Sequence, residues 1–184
     1  LAKDLIPFFI SDTIATPLAI KYTSIVFLSL LFSAYSFVFQ GFYTGIEKTK
    51  THMVVTISSN ALNVYLNAGL IYGSSGLQTF FTDTAPALSF LYPLWQWIEF
   101  PALGVKGAAL ATLIASTWMA VHYFIFLFSK EIKHRFAVFK FSMDTTMMKR
   151  QLKLAIPQGF QEMIIAIGWS MFYKIVGMIG LIEL

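Results

Sequence analysis

Three asparagines lie between Thr56 and Gly73, in a stretch apolar and long enough to cross a membrane. On a helix each residue turns about 100° from the one before it, so Asn60, Asn63 and Asn67 share one narrow stripe with Thr56. An amide without a hydrogen-bond partner costs on the order of 2–7 kcal/mol when it leaves water. We therefore expect the stripe to face the interior of a helix bundle. There the amides either bind neighbouring helices or line a hydrated cavity that holds a substrate or a coupling ion.

Three further polar side chains lie in apolar segments. Gln40 and Thr112 are uncharged, and a functional role for them depends on whether they lie next to the asparagine stripe in the folded protein. Glu162 lies about 12 Å into the last apolar segment if that helix starts at Leu154 and rises about 1.5 Å per residue. An ionisable residue at this depth indicates a functional site, with a proton as its ligand. The alternatives are that Glu162 reaches back to the cytoplasmic interface or pairs with a lysine of another helix.

The sequence has no motif typical of an enzyme. His52 and His134 lie in basic loops, and His122 is alone in an apolar segment, so none has a second ligand at metal-binding spacing. Walker, HExxH and GxSxG motifs are absent from the chain. The chain also has no cysteine, which excludes disulfide scaffolds and cysteine-based zinc sites. We predict a protein that is not an enzyme, with no cofactor other than a coupling ion.

The composition is typical of a membrane protein. Of 184 residues, 57% are hydrophobic and 12% are charged, and the mean hydropathy is +0.70. Soluble domains carry about twice this fraction of charged residues. The chain begins with leucine, and no signal peptide follows, so we expect it to be part of a longer protein.

Four segments are long enough to span a bilayer, which takes about 20 apolar residues. They cover approximately residues 22–43, 53–73, 104–128 and 154–182. Lysine and arginine are concentrated in the first and third connections, and residues 74–103 contain neither. Because cytoplasmic loops are enriched in these residues, we predict that the first and third connections face the cytoplasm and the middle one faces outward.

The middle connection contains an apolar segment, residues 85–100, that is interrupted by Pro93. A crossing there would place the two basic loops on opposite sides, so we interpret it as interfacial. Tyr92, Trp95 and Trp97 are then expected at the level of the lipid headgroups. Elsewhere, small residues recur four apart, as in Gly69 and Gly73, which predicts close packing between helices. The other such sets are Gly41 and Gly45, then Gly104, Ala108 and Thr112, with Gly107, Ala111 and Ala115.

Four sequence motifs follow one another in a familiar order: "FQGFYTGIEKTKTH", "NALNVYLNAGLIYG", "PALGVKGAALATLIAS" and "LKLAIPQGFQEM". Together they resemble the MATE (multidrug and toxic compound extrusion) family over nearly the whole chain. The matching residues are Gly45, Thr49, Lys50 and Thr51 in the first motif, Asn63, Leu66, Leu70, Ile71 and Gly73 in the second, and residues 103–112 in the third.

The resemblance implies an all-α fold, a polytopic membrane helix bundle that is part of a twelve-helix, two-lobe secondary transporter. Residues 1–129 would be the C-terminal half of the N-lobe, with three transmembrane helices. Residues 130–153 would be the basic cytoplasmic loop between the lobes, and residues 154–184 the first helix of the C-lobe. The remaining helices of the transporter would then be partners of this chain, which is expected to cross the cell membrane several times.

The resemblance also implies a function: export of organic cations or other amphipathic compounds by alternating access, driven by protons or sodium. Asn63 matches an asparagine of the N-lobe cation site of some members, and Gln40 and Thr112 correspond to its helper positions. Asn67 stands where those members have an aspartate, and an amide cannot carry a proton. The seventh-helix glutamate of other members corresponds to Ile165, so its role is not transferred to Glu162.

Two alternatives stay open. The first is a lipid-linked oligosaccharide flippase of the same superfamily, although such cavities tend to be more basic than these spans. The second is a membrane scaffold subunit that transports nothing, in which every asparagine pairs with protein. The basic residues 130–153 do not indicate a nucleic-acid partner, because a topology signal with some contact to anionic lipid explains them.

Overall fold

The computed structural model describes residues 6–7, 15–84, 86–129, 132–133, 136 and 143–180. These residues are almost entirely helical and contain no strand, so the predicted all-α class is confirmed for the part described. The elements are α1 (Ala15–Gly45), α2 (Thr49–Thr79), a π-helical turn (Phe80–Thr84), a 3-10 helix (Pro86–Trp95), α3 (Val105–Leu127) and α4 (Thr145–Gly180).

Among the described residues, three helical segments are long and apolar enough to cross a membrane: Ala15–Gly45, Thr49–Thr84 and Val105–Leu127. Helix α4, which contains most of the fourth predicted span, is not one of them. The predicted spans 22–43 and 53–73 lie inside the first two, and the predicted span 104–128 extends one residue beyond α3 at each end. The chain is therefore a membrane protein. The division into lobes stays a prediction.

The chain separates into two compact units, Leu1–Ala137 and Val138–Leu184. The second unit contains α4, which begins earlier than the predicted start at residue 154. Asp144 caps this helix, because its Oδ1 accepts hydrogen bonds from the backbone N–H groups of Thr146 (2.8 Å) and Met147 (3.1 Å). Residues 181 and 182 of the predicted fourth span lie outside the described residues.

In the first unit, α3 packs along both α1 and α2, which contact each other much less. Small residues line the buried side of α3 and let the neighbouring backbones approach closely, as expected for membrane helices. They are Gly107, Ala109, Ala111, Ala115, Ser116 and Ala120. By contrast, nothing lies within 4 Å of a Cβ placed on Gly41 or Gly45, so this predicted pair is not a close-packing face among the described residues.

Helix α2 is interrupted at Gly73, whose φ of 70° and ψ of 171° are not helical. The positive φ explains why glycine occupies this position. The interruption frees backbone groups of the preceding turn, which lipid cannot satisfy. The end of the middle connection supplies their partners, because the N–H of Leu103 donates to the carbonyl of Leu70 at 2.9 Å and the N–H of Gly104 donates to that of Ile71 at 3.3 Å.

The middle connection folds back onto α2. Its core is a hydrophobic cluster, which contains Leu77, Phe81, Trp95 and Phe100. The indole N–H of Trp95 donates to the carbonyl of Tyr65 at 2.9 Å, and the two rings stack at 5.2 Å. The hydroxyl of Tyr65 donates in return to the carbonyl of Leu94 at 3.0 Å.

The three aromatic residues predicted together at the headgroup level have different surroundings. Trp95 is only 8% exposed, whereas Trp97 is 89% exposed. Tyr92 is half-buried and packs against Phe81. Trp95 therefore packs against α2. Its partner there, Tyr65, lies 30 residues earlier and offers both a carbonyl acceptor and an aromatic face.

Candidate functional site on the polar face of α2

Asn63 and Asn67 form a side-chain pair one helical turn apart on α2. The Nδ2 of Asn67 donates to the Oδ1 of Asn63 at 2.9 Å, and both residues are half-buried. Within the described part of the chain, neither side chain makes another hydrogen bond. The pair therefore retains hydrogen-bonding capacity, above all the Oδ1 of Asn67, which carries two lone pairs.

Asn60, from the same predicted stripe, does not join this pair. It is exposed and lies at a groove of about 530 Å³ between α2 and the 3-10 helix. The groove is otherwise lined by Ile57, Ala61, Val64, Tyr65, Leu94 and Trp95. Its lining is mainly apolar, and the Asn60 side chain forms no hydrogen bond with any described residue.

Thr56, at the N-terminal end of the stripe, contacts a histidine instead of an asparagine. Its Oγ1 lies 3.4 Å from the Nδ1 of His52, which belongs to the first turn of α2. The stripe is therefore divided into three polar positions: Thr56 with His52, Asn60 alone among the described residues, and Asn63 with Asn67.

Gln40 and Thr112 are the predicted helper residues on the neighbouring helices. The hydroxyl of Thr112 donates to the carbonyl of Ala108 in its own helix at 3.0 Å. Gln40 is half-buried in α1. Among the described residues, neither is hydrogen-bonded to Asn63 or Asn67. Their roles as ion or substrate ligands stay predictions.

Glu162 lies inside α4, between Pro157 and Gly168, and thus in the second compact unit. The structure describes that unit by itself, so Glu162 is not placed in relation to the asparagine pair. Its predicted role remains a prediction.

His52, which has no second ligand at metal-binding spacing in the sequence, has a structural partner on a neighbouring helix. Its Nδ1 shares a hydrogen bond of 2.5 Å with the hydroxyl of Tyr123 in α3. The backbone carbonyl of Tyr123 accepts a hydrogen bond of 3.2 Å from the hydroxyl of Tyr43 in α1. Since Tyr43 and Tyr123 are 0% and 1% exposed, these contacts form a buried polar connection between all three helices.

His122 also has a partner on the neighbouring helix. Its Nδ1 lies 3.2 Å from the hydroxyl of Ser58. Close by, the hydroxyl of Ser59 donates to the carbonyl of Ala115 at 2.9 Å. The sequence offered little signal for either histidine contact, because the partners are 64 and 71 residues apart along the chain.

No group of three or more histidine, aspartate or glutamate residues is placed to hold a metal ion within the residues that the structure describes. The available ligands on the polar face of α2 are amide and hydroxyl oxygens. Such oxygens can replace part of the hydration shell of a monovalent cation or bind the polar groups of an organic molecule.

Comparison with known proteins finds similarity to one family of transport proteins. The MatE family model matches residues 1–68. Proteins named "Probable multidrug resistance protein NorM", from Bacillus thuringiensis subsp. konkukian and from Bacillus anthracis, are each 28% identical over 145 residues. The alignments cover 78% of this chain and 27% of each relative, so the chain spans about a quarter of the length of these relatives. No solved structure matches the chain significantly.

Proposed function

Because residues 1–68 match the MatE family model and 145 residues are similar to NorM proteins, we propose that the complete protein is a MATE-type secondary active antiporter that exports organic cations or other amphipathic compounds by alternating access. The exchange is driven by protons or sodium. In this proposal the three helices of the first unit contribute to one wall of the transport pathway. The remaining helices of the protein, in the cell membrane and surrounded by lipid, supply the rest.

The Asn63–Asn67 pair carries this proposal. Both side chains belong to a helix that is long and apolar enough to span a membrane, and no described residue donates a hydrogen bond to the Oδ1 of Asn67. Lipid offers no partner for such groups, and intramembrane polar residues are found mainly where they face a bundle interior or a water-filled cavity. The pair is therefore suited to face the substrate or a coupling ion.

The chemistry of an amide bears on the coupling ion. Asn67 cannot bind and release a proton, but its Oδ1 can coordinate sodium or accept a hydrogen bond from a substrate. This favours sodium or substrate binding at the α2 pair. A proton-coupled mechanism would require a carboxyl group elsewhere, and Glu162 in α4 is the candidate within this chain. Neither mechanism involves a cofactor or an enzymatic step.

The proposal is tested with the complete protein reconstituted in liposomes. Accumulation of a fluorescent organic cation is followed while either a proton gradient or a sodium gradient is imposed, with protein-free liposomes as the control. We expect accumulation that depends on the protein and is abolished when the effective gradient is collapsed. If neither gradient moves the cation, cation export is refuted.

Failure of cation transport would favour one of the two alternatives. A flippase of lipid-linked oligosaccharides would move a labelled lipid between leaflets in the same liposomes. A scaffold without transport activity would move neither compound, and Asn63 and Asn67 would then be bonded to other helices of the complete protein. The Oδ1 of Asn67, which accepts no hydrogen bond from a described residue, favours the transporter.

A further inference from the structure

Two motifs whose residues have no part in the proposed binding pair meet in space. One is the end of the asparagine-containing motif, residues 70–74, and the other is residues 100–107, which lead into α3. We call these two segments together the α2–α3 joint. The backbone of Leu70 accepts a hydrogen bond from Leu103, and that of Ile71 accepts one from Gly104.

Two further hydrogen bonds join Ser74 and Phe100 across the joint. The N–H of Ser74 donates to the carbonyl of Phe100 at 3.1 Å, and the N–H of Phe100 donates to the hydroxyl of Ser74 at 2.9 Å. Ser74 and Phe100 therefore bind each other reciprocally. The four hydrogen bonds together satisfy backbone groups on both sides of the interruption at Gly73.

Two glycines of the joint, Gly73 and Gly107, and Gly69 just before it lie in direct contact with the opposite segment, with no room for a Cβ. A Cβ on Gly69 would lie 2.8 Å from the ring of Phe100, and one on Gly73 would lie 2.9 Å from Ala102. A Cβ on Gly107 would clash with the backbone carbonyl of Leu70, which cannot move without breaking its hydrogen bond to Leu103. The joint thus depends on direct backbone contact.

Separation of the joint would expose its backbone groups at the end of a membrane-spanning helix pair. The carbonyls of Leu70 and Ile71 would then lack partners within α2, because Gly73 interrupts the helical hydrogen bonding. Further along the same interface, Ser59 is bonded to the carbonyl of Ala115, and His52 is bonded to Tyr123. Helix α2 is therefore attached to α3 at three levels along its length.

We infer that the α2–α3 joint stays closed throughout the transport cycle and positions Asn63 and Asn67 by fixing the register of α2 on α3. Asn67 lies about 9 Å along the helix from Gly73, since six residues rise about 1.5 Å each. A slip or tilt at the joint is therefore transmitted to the pair through about one and two-thirds turns of helix. This inference rests on the proposed function, and Ser74, Gly73 and Gly107 are positioning residues in it.

Hydrogen–deuterium exchange on the complete protein in lipid nanodiscs tests whether the joint stays closed throughout the transport cycle. Exchange at residues 70–74 and 100–104 is compared with and without a saturating organic cation, and with and without sodium. We expect these amides to stay protected in all conditions, with rates that agree within about twofold, while other segments change. A rise of tenfold or more at the joint in any one condition would show that it opens, and would overturn the inference.

Variants of Ser74 test whether the joint positions Asn63 and Asn67. Ser74→Ala removes the acceptor for the Phe100 N–H, and Ser74→Thr retains a hydroxyl. We expect Ser74→Ala to raise the KM for the organic cation severalfold at an unchanged amount of folded protein, and Ser74→Thr to restore it. If Ser74→Ala increases exchange at the joint but leaves KM unchanged, the joint does not position the asparagines.

Failure of the proposed function would look different from failure of this inference. If the unmodified protein does not transport the cation, the antiporter proposal is wrong, and no KM can be measured. The exchange experiment still reports whether the joint opens, because it requires no transport. If the unmodified protein does transport and the joint opens, the antiporter proposal stands and the inference about the joint is wrong.

Discussion

The hydroxyl of Tyr123 in α3 lies 2.5 Å from the Nδ1 of His52 in α2, within a buried interface that also contains Tyr43 of α1. His52 and Tyr123 are therefore direct partners across the helix interface. Their rings are also nearly parallel, with centroids 6.3 Å apart. The pair holds the ends of α2 and α3 together near the predicted cytoplasmic side.

A double-mutant cycle with His52→Ala and Tyr123→Phe should reveal this coupling. Interhelical hydrogen bonds in membranes contribute about 0.6–1.7 kcal/mol. We expect each single variant to be destabilised and the double variant to lose less than the sum, with a coupling energy of about that size. The measurement is the free energy of unfolding in mixed micelles titrated with a denaturing detergent. Strict additivity of the two losses would mean that the two side chains do not interact in the membrane.

Trp95 and Trp97 form a matched pair of tryptophans two residues apart. Trp95→Phe removes the N–H that binds the carbonyl of Tyr65, which should cost about 0.5–1.5 kcal/mol. Trp97→Phe changes a side chain that is 89% exposed and should change the stability by less than about 0.5 kcal/mol. The same unfolding titration compares the two variants. Equal losses would show that Trp95 is not packed on α2.

Gly107→Ala places a methyl group against the carbonyl of Leu70 and should destabilise the protein by about 1–3 kcal/mol, the usual cost of overpacking. Gly41→Ala is the matched control, because nothing lies within 4 Å of its added Cβ. The midpoint of thermal denaturation in detergent distinguishes the two. If Gly107→Ala matched Gly41→Ala in stability, close contact between α2 and α3 at this point would be excluded.

Asn67→Asp replaces an amide with a carboxyl group that can bind and release a proton. If the pair faces the transport pathway, we expect this variant to change the dependence of the transport rate on external pH relative to that of the unmodified protein. Gln78→Glu provides the control, since Gln78 is an exposed amide on the same helix beyond the interruption. Identical pH profiles for Asn67→Asp and the unmodified protein would argue that the pair lies outside the pathway.

The sequence predicted the helices because their signal is local. About 20 consecutive apolar residues suffice to identify a span, and the 100° periodicity correctly placed Asn63 and Asn67 on one face of α2. The histidine contacts and the packing of Trp95 were not predictable in this way. Each depends on a partner at least 30 residues distant, and nothing in the local pattern names that partner.

The glycines show a second limit of prediction from the sequence. Spacing of four residues correctly indicated close approach at Gly69 and Gly107, but it suggested two uniform helix faces. The structure instead gives Gly73 a positive φ and places a loop against it. The periodic pattern could not distinguish a packing glycine from one that interrupts a helix, because both satisfy the same spacing.

The central claim is that the Asn63–Asn67 pair faces the transport pathway, and its most direct test is transport by the complete protein with both residues replaced by alanine. Gradient-driven accumulation of a fluorescent organic cation in liposomes is compared among the unmodified protein, the double variant and Gln78→Ala. Loss of one or two hydrogen bonds to a charged ligand corresponds to about tenfold or more. The account predicts that the double variant falls by at least about this factor while Gln78→Ala is unchanged. A double variant that is folded, present in equal amount and as active as the unmodified protein would contradict it.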